Sequence, residues 1–230
     1  MGDALQPAPN GEVITALELA AIRPERRGRR RLSGLTQPER DLYRWIMQRF
    51  AAAAPPSGEA TRVTALELGL DPDEALAALA RDDLVHAGRD GRPEVAYPFS
   101  ARERGHRVLI DGRHAVEAMC AIDALGIAPM LGLPIEVRSR DPTSGGDVHV
   151  HLQSEEQAGW QPAEAVVLAG STRCDGPSLG GCCNVLNFFE TTENAERYLR
   201  EHPEIIGAPI TIPEAAETAR VVFGDVLREG

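Results

Sequence analysis

The sequence predicts an α+β fold, in which an N-terminal winged-helix-like helical region precedes a mixed, mainly antiparallel sheet domain with helices. Apolar residues recur at helical spacing near the N-terminus, whereas "PIEVRSRDPTSGGDVHVHL" alternates like two strands joined by a turn. Hydrophobic residues make up 43% of the 230 residues, enough for a substantial core. Aromatic residues make up only 4%, so we expect that core to be mainly aliphatic. Such runs of helices and strands are typical of the α+β class.

We expect three regions along the chain. Residues 1–35 are interpreted as a flexible extension whose arginine run, "RPERRGRRR", is solvated. Residues 36–104 have the rhythm of a winged-helix-like domain, and residues 105–230 form the α+β domain. Within the second region we expect a helix over 36–54, a break at "PPSGEA", a short helix near 64–68, a helix after Asp71 and Pro72, and a hairpin turning at "GRDGR".

The α+β domain is predicted from alternating turn signals and apolar runs. The expected elements are a strand over 106–110, a helix over 114–125, the two alternating strands, a strand at "AEAVVLAG", a strand entered from "CCNVLNFFET", a helix over 192–202, and a final short strand and helix. Glycine and proline at Gly126, Pro129 and Gly132 are expected to end the helix over 114–125.

Charge excludes several functions. All 24 basic residues are arginines, so neither a Schiff-base lysine nor a P-loop lysine is available. The net charge is −11, and residues 141–230 carry five arginines against fifteen acids, which argues against a nucleic-acid partner. The N-terminus has no signal-peptide pattern, and no apolar run reaches the ~18 residues of a membrane span. We expect a cytoplasmic protein with reduced thiols and no membrane partner.

Four cysteines are the candidate reactive groups: Cys120, Cys174, Cys182 and Cys183. Neighbouring cysteines are poor disulfide partners, and the chain has no C-x-x-C pair, so a structural zinc site has weak support. Cys120 and Asp123 have the i,i+3 spacing that places two side chains on one face of a helix. They could be a reactive pair or a buried core cysteine beside a capping acid. In a strand Cys182 and Cys183 would face opposite ways, so only one could join Cys120.

Two segments of the sequence, taken together, are specific enough to indicate a protein family. "AMCAIDALGIAPMLG", followed about sixty residues later by "CCNVLNFFET", resembles the alkylmercury lyases, the organomercurial lyases of bacterial mercury resistance. The resemblance covers about residues 36–223. By this resemblance Cys120 and Asp123 match the first catalytic cysteine and the aspartate, and Cys182 matches the second catalytic cysteine. Cys183 falls where a cysteine is not essential, and we interpret Cys174 as incidental.

The sequence departs from the family at several positions. Met119 stands where an aromatic residue often precedes the first cysteine, and Asp141 falls where some members have a further cysteine. Gly180 and Gly181 make the approach to Cys182 unusually flexible. An N-terminal arginine run is also not typical. These departures leave the reaction type in place and open the question of the native substrate.

The resemblance implies protonolysis of a carbon–mercury bond. Thiolates of Cys120 and Cys182 would hold the soft mercury of substrate and product, and Asp123, its acid form favoured by burial, would contact the metal and give the carbon its proton. No organic cofactor or permanent metal is expected. The partners would be organomercurials, with small thiols or a mercuric reductase accepting Hg(II). Alternatives are another organometallic or biosynthetic substrate, a thiol-based metal-sensing or metal-binding protein, and a globular protein with incidental thiols.

Overall fold

The computed structural model describes residues 32–153, 157–172, 183–224 and 226–227. The arginine run and the segment 173–182, which contains Cys174, Gly180, Gly181 and Cys182, lie outside the described residues, and the predictions made for them stay predictions. Within the described part the chain forms six helices: α1 (Gln37–Ala51), α2 (Gly58–Glu67), α3 (Pro72–Arg81), α4 (Ala121–Leu131), α5 (Thr192–Glu201) and α6 (Ile212–Phe223). None of these helices is both long enough and apolar enough to cross a membrane.

Two antiparallel sheets account for the strands of the described residues. The strands are β1 (Val85–Ala87), β2 (Pro93–Ala96), β3 (Phe99–Ser100), β4 (His106–Ile110), β5 (His114–Ala118), β6 (Ile135–Arg140), β7 (Asp147–Leu152), β8 (Ala158–Gln161), β9 (Val166–Thr172), β10 (Phe188–Phe189) and β11 (Ile205–Thr211). The larger sheet has the order β1-β2-β3-β5-β4-β6-β7-β8, and the smaller has the order β10-β9-β11. The predicted α+β class with a mainly antiparallel sheet is confirmed.

The N-terminal helices begin where their capping residues stand. Thr36 and Glu39 form the predicted capping box of α1, and the side chain of Asp71 caps α3 with Pro72 at its first position. The short helix predicted near 64–68 is longer than expected, because Ser57 caps it and its first turn starts at Gly58. A Cβ atom on Gly58 would overlap the Asp90 carbonyl, so a glycine lets this helix start approach the turn of the β1–β2 hairpin.

The hairpin is continuous with the rest of the molecule. Strand β2 pairs with β3, and β3 pairs with β5, so the three N-terminal helices and the hairpin join the eight-stranded sheet. One hydrophobic cluster contains buried residues of α1, such as Ile46, together with residues of α4 and α6. The division at residue 104 and the winged-helix-like description stay predictions.

The helix predicted over 114–125 is wrong in its first half. Residues His114–Ala118 form β5, which pairs with β4 through the turn at Asp111 and Gly112, both of which have positive φ. The helix α4 begins only at Ala121 and continues through Gly126 and Pro129 to Gly132, whose φ of 66° ends it. Alanine and valine in residues 114–118 suit either state, and the tertiary pairing with β4 decides for the strand.

Helix α4 is held between the large sheet and α6. It contacts β4, β5 and β6 on one side and α6 on another. A Cβ atom on Gly126 would overlap the ring of Phe223, so this helix pair can approach closely only because residue 126 is glycine. Helix α5 covers the smaller sheet through β9 and β11. This packing fixes the N-terminus of α4, where Cys120 lies.

Candidate active site

Cys120 caps the helix that carries Asp123. The backbone of Cys120 is extended, with φ −157°, and its Sγ accepts a hydrogen bond from the Asp123 backbone nitrogen at 3.4 Å. The Cys120 thiol in turn donates to Asp123 Oδ2 at 2.9 Å. This reciprocal contact between the N-cap and the third helical residue resembles a capping box, with cysteine and aspartate in place of serine and glutamate. The predicted proximity of Cys120 and Asp123 is confirmed, although they lie at a helix start rather than in mid-helix.

The pair is enclosed. Cys120 is 1% exposed and Asp123 is 5% exposed. The Ala121 backbone nitrogen donates to the Leu186 carbonyl at 2.8 Å, which ties the start of α4 to the segment that follows the adjacent cysteines. The buried Asp123 carboxyl group can therefore exchange a proton with the Cys120 sulfur, and that proton is not exposed to bulk water.

Cys183 joins this pair. Its Sγ lies 3.7 Å from Asp123 Oδ2, and the three ligand atoms of Cys120, Asp123 and Cys183 all lie within 4.8 Å of one another. The expectation that Cys183 faces away from Cys120 is wrong, because Cys183 begins a turn and the strand β10 starts only at Phe188. Strand alternation therefore does not determine where its side chain points.

These three residues are the group of potential metal ligands within the described ranges. Two sulfurs and one carboxylate oxygen form a soft donor set that suits a thiophilic metal better than Ca²⁺ or Mg²⁺. His149 and His151 lie on the exposed face of β7 and do not join this group. Cys182 itself is outside the described residues, so its predicted place in the group stays a prediction.

Burial controls the protonation of Cys120. Burial is the largest cause that raises the pKa of the Cys120 thiol well above its ordinary value, followed by its hydrogen bond with Cys183 and the charge of Asp123. Cys120 is therefore a thiol at neutral pH. A metal that binds its sulfur must displace a proton, and Asp123 Oδ2 is the acceptor already in hydrogen-bond contact.

Tyr97 lies beside Cys183, and sequence analysis did not identify it as a site residue. Its hydroxyl lies 3.9 Å from Cys183 Sγ, and the residue is 2% exposed. Burial, then the charges of Cys183, Asp83 and Asp123, raises the pKa of this phenol, so it stays protonated. No motif in "AYPF" distinguishes it from a core tyrosine, and only the fold brings the β2–β3 turn to the cysteines.

A cleft of about 310 Å³ opens beside Cys183. Its lining includes Cys183, Met119, His106, Arg104, Asn184 and Asn187, but neither Cys120 nor Asp123. His106 is buried, with Nδ1 3.0 Å from Ser139 Oγ, and burial lowers its pKa to about 4, so its ring is neutral at pH 7. Arg104 is held by Asn184 Oδ1 at 2.6 Å. Met119, noted as a departure, is thus part of the cleft wall.

Asp141, the other position at which the sequence departs from the family pattern, lies buried among hydrogen-bond donors. It is 1% exposed, and its carboxylate accepts from the backbone nitrogens of Thr143, Ser144 and Glu190 and from Asn194 Nδ2. Both oxygens are therefore saturated with donors. They join the β6–β7 turn to the end of β10 and the start of α5.

Three comparisons with known proteins point to the same family. The family model described as "MerB: Alkylmercury lyase" matches residues 99–224. Alkylmercury lyases of Streptomyces lividans and Staphylococcus epidermidis are each 25% identical over 169 residues, covering 74% of this chain and 76% of theirs. The solved structure titled "Crystal structure of the mercury-bound form of MerB2" has a similar fold, with a TM-score of 0.69, 19% identity, and coverage of 92% of this chain and 97% of that one.

The matched region contains β3 to α6, and so includes Cys120, Asp123 and Cys183. It spans more than half of the chain. The chain belongs to the alkylmercury lyase family.

Proposed function

We propose that this chain cleaves carbon–mercury bonds of organomercurials by protonolysis, releasing a hydrocarbon and Hg(II). The observation that carries the proposal is the buried contact of 2.9 Å between Cys120 Sγ and Asp123 Oδ2 in a chain of this family. The proposed catalytic residues are Cys120, Asp123 and Cys182. Cys120 and Cys182 would bind the mercury of substrate and product, and Asp123 would contact it.

Capture of the substrate requires one sulfur to lose its proton. The Cys120 thiol has a raised pKa, so mercury replaces the proton rather than meeting a preformed thiolate. The Cys120–mercury bond forms while the proton passes to Asp123 Oδ2, and the ligand that accompanied the organomercurial leaves. Mercury is soft, and a thiolate is the softest ligand that a protein side chain offers, so this exchange is favourable.

Cleavage requires the proton to reach carbon. A second thiolate, which we assign to Cys182, adds electron density to mercury and weakens the carbon–mercury bond. The electron pair of that bond takes the proton held by Asp123, so the hydrocarbon leaves and mercury stays as a bis-thiolate. No oxidation state changes, and of the two thiol protons one ends on carbon and the other on the displaced ligand. Burial of Asp123, at 5% exposure, keeps its proton from exchanging with water before cleavage.

The setting of the reaction follows from this chemistry. No organic cofactor or permanent metal enters these steps. We propose cytoplasmic small thiols or a mercuric reductase as the Hg(II) acceptor, because Hg(II) on two thiolates leaves by exchange with another thiol.

For residues 36–104 we propose a winged-helix-like unit without DNA binding, since α3 carries acidic residues in its first turn.

Headspace gas chromatography with intact-protein mass spectrometry tests the proposal. With methylmercury or phenylmercury, the wild type should release methane or benzene and retain Hg(II). Cys120→Ser and Cys182→Ser should each abolish hydrocarbon release, whereas Cys174→Ser, the matched control, should keep it. Full release by Cys182→Ser would contradict the assignment of the second thiolate. Mercury binding by the wild type without any hydrocarbon would contradict the lyase function and favour a thiol-based metal-binding protein.

A further inference from the structure

The mercury product of the proposed reaction would be formed at a sulfur that is almost completely buried among the described residues. Cys120 is 1% exposed and does not line the adjoining cleft. A free thiol in solution must reach the mercury ion to displace a protein sulfur, and the described residues leave little of Cys120 accessible to it.

Cys183 has the contacts that Cys120 lacks. It belongs to the same cluster as Cys120 and Asp123, and it also lines the cleft of about 310 Å³. Among the described members of the cluster it is the one that touches both the buried acid and the cleft. Met119, a residue whose side chain carries a thioether, also lines this cleft.

The distances suit direct transfer of a metal between the two sulfurs. The Sγ atoms of Cys120 and Cys183 are at most 4.8 Å apart, so an ion midway would lie within about 2.4 Å of each. That is close to the ~2.3 Å of a zinc–thiolate bond, and mercury is a larger ion that needs no shorter contact. A metal held by Cys120 therefore reaches Cys183 with little movement of either side chain.

Asp123 has the geometry to balance the protons of this transfer. Its Oδ2 accepts from Cys120 Sγ at 2.9 Å and lies 3.7 Å from Cys183 Sγ. When the Cys183 sulfur bonds to mercury, its proton can pass to Oδ2. When the Cys120 sulfur leaves the metal, it can take a proton from the same oxygen.

We propose that Cys183 is the exit thiol of the enzyme, which takes Hg(II) from Cys120 and presents it to a small acceptor thiol bound in the adjoining cleft. This role rests on the proposed function. The Cys120–mercury bond breaks as the Cys183–mercury bond forms, mercury keeps its other ligand, and the proton moves from Cys183 to Cys120 through Asp123. In the cleft the acceptor thiol then displaces Cys183, which regains a proton from the acceptor. A second acceptor thiol displaces the remaining protein thiolate and gives it a proton, so Hg(II) leaves on two acceptor thiolates.

A single-turnover experiment separates cleavage from release. Enzyme in excess is mixed with phenylmercury, benzene is measured first, and L-cysteine is then added while intact-protein mass spectrometry follows the loss of Hg(II). Once benzene has formed, Cys183→Ser should lose Hg(II) about tenfold or more slowly than the wild type, because the acceptor must reach a buried sulfur. Cys174→Ser should match the wild type in both benzene release and Hg(II) loss.

A second variant leaves Cys183 intact. Glu103 is exposed and lines the same cleft, so Glu103→Trp should narrow it without disturbing the core. Hg(II) transfer to glutathione, a tripeptide thiol, should slow more than transfer to L-cysteine. If Glu103→Trp slows transfer to both acceptors by the same factor relative to the wild type, or slows neither, the cleft is excluded as their route.

The remaining outcomes distinguish this proposal from the lyase function. Normal Hg(II) release by Cys183→Ser would overturn the exit role and leave the lyase function standing. Loss of benzene in its first turnover would make Cys183 a cleavage thiol and would also overturn the exit role. Absence of benzene from the wild type would overturn the proposed function itself.

Discussion

Replacing Asp141 by asparagine should destabilise the fold by a predictable amount. Asp141 Oδ1 accepts from the nitrogens of Thr143 at 2.7 Å and Ser144 at 3.2 Å, and Oδ2 accepts from the Glu190 nitrogen at 2.9 Å and from Asn194 Nδ2 at 2.7 Å. Asparagine is almost the same size, but one of its two terminal atoms is a donor. Whichever way the amide turns, its nitrogen faces two donors, so two hydrogen bonds are lost.

The magnitude follows from these two bonds. A hydrogen bond to a charged group contributes about 1.5 kcal/mol or more, so Asp141→Asn should lower the free energy of unfolding by about 3 kcal/mol. For a chain of this size that corresponds to a fall in melting temperature of about 6–12 °C.

Urea unfolding followed by circular dichroism measures this loss. The matched control is Asp147→Asn on the same hairpin, where the carboxylate is 64% exposed and lies 3.4 Å from Arg140 Nε. An exposed ion pair contributes little, so the control should stay within about 0.5 kcal/mol of the wild type. A loss below about 1 kcal/mol for Asp141→Asn, or equal losses for both variants, would refute the hydrogen-bond reasoning.

Three further predictions concern the helix starts and the α4–α6 contact. Burial holds the pKa of the Cys120 thiol above its ordinary 9.0, so above pH 9 only the unfolded chain loses this proton. The free energy of unfolding of the wild type should therefore fall by about 1.4 kcal/mol per pH unit relative to that of Cys120→Ser, which urea titrations at several pH values measure. Gly126→Ala should cost about 1–3 kcal/mol by overlap with Phe223, and a double-mutant cycle with Phe223→Leu should show a favourable coupling. Thr36→Ala removes the capping box of α1 and should lower the melting temperature through a loss of about 1 kcal/mol.

The elements that local chemistry determines were predictable. Thr36 and Asp71 mark their helices because a side-chain oxygen before an apolar period satisfies the free backbone N–H groups. The hairpin of β6 and β7 shows clear alternation. Residues 114–118 were assigned to a helix because their composition suits both states, and only pairing with β4 selects the strand. Strand β8 is four residues long and half exposed, so it leaves a weak pattern.

The site was predictable in part for the same reason. The i,i+3 spacing of Cys120 and Asp123 brings their side chains together at the start of a helix, so their contact was predictable from this spacing. The approach of Cys183 depends on a turn before β10, and that of Tyr97 depends on how the β2–β3 turn packs against α4. Neither long-range contact leaves a local signal. The contact within the pair was therefore predictable from the sequence, and its surroundings were not.

The proposed protonolysis depends most on proton delivery by Asp123, and the variant Asp123→Asn tests this delivery directly. Asparagine keeps the shape of the side chain but cannot take the thiol proton and give it to carbon. Single-turnover mass spectrometry with phenylmercury should find no benzene in the headspace of the Asp123→Asn protein and no conversion of phenylmercury to protein-bound Hg(II). Benzene release by Asp123→Asn at the wild-type rate would contradict the assignment of Asp123 as the proton donor.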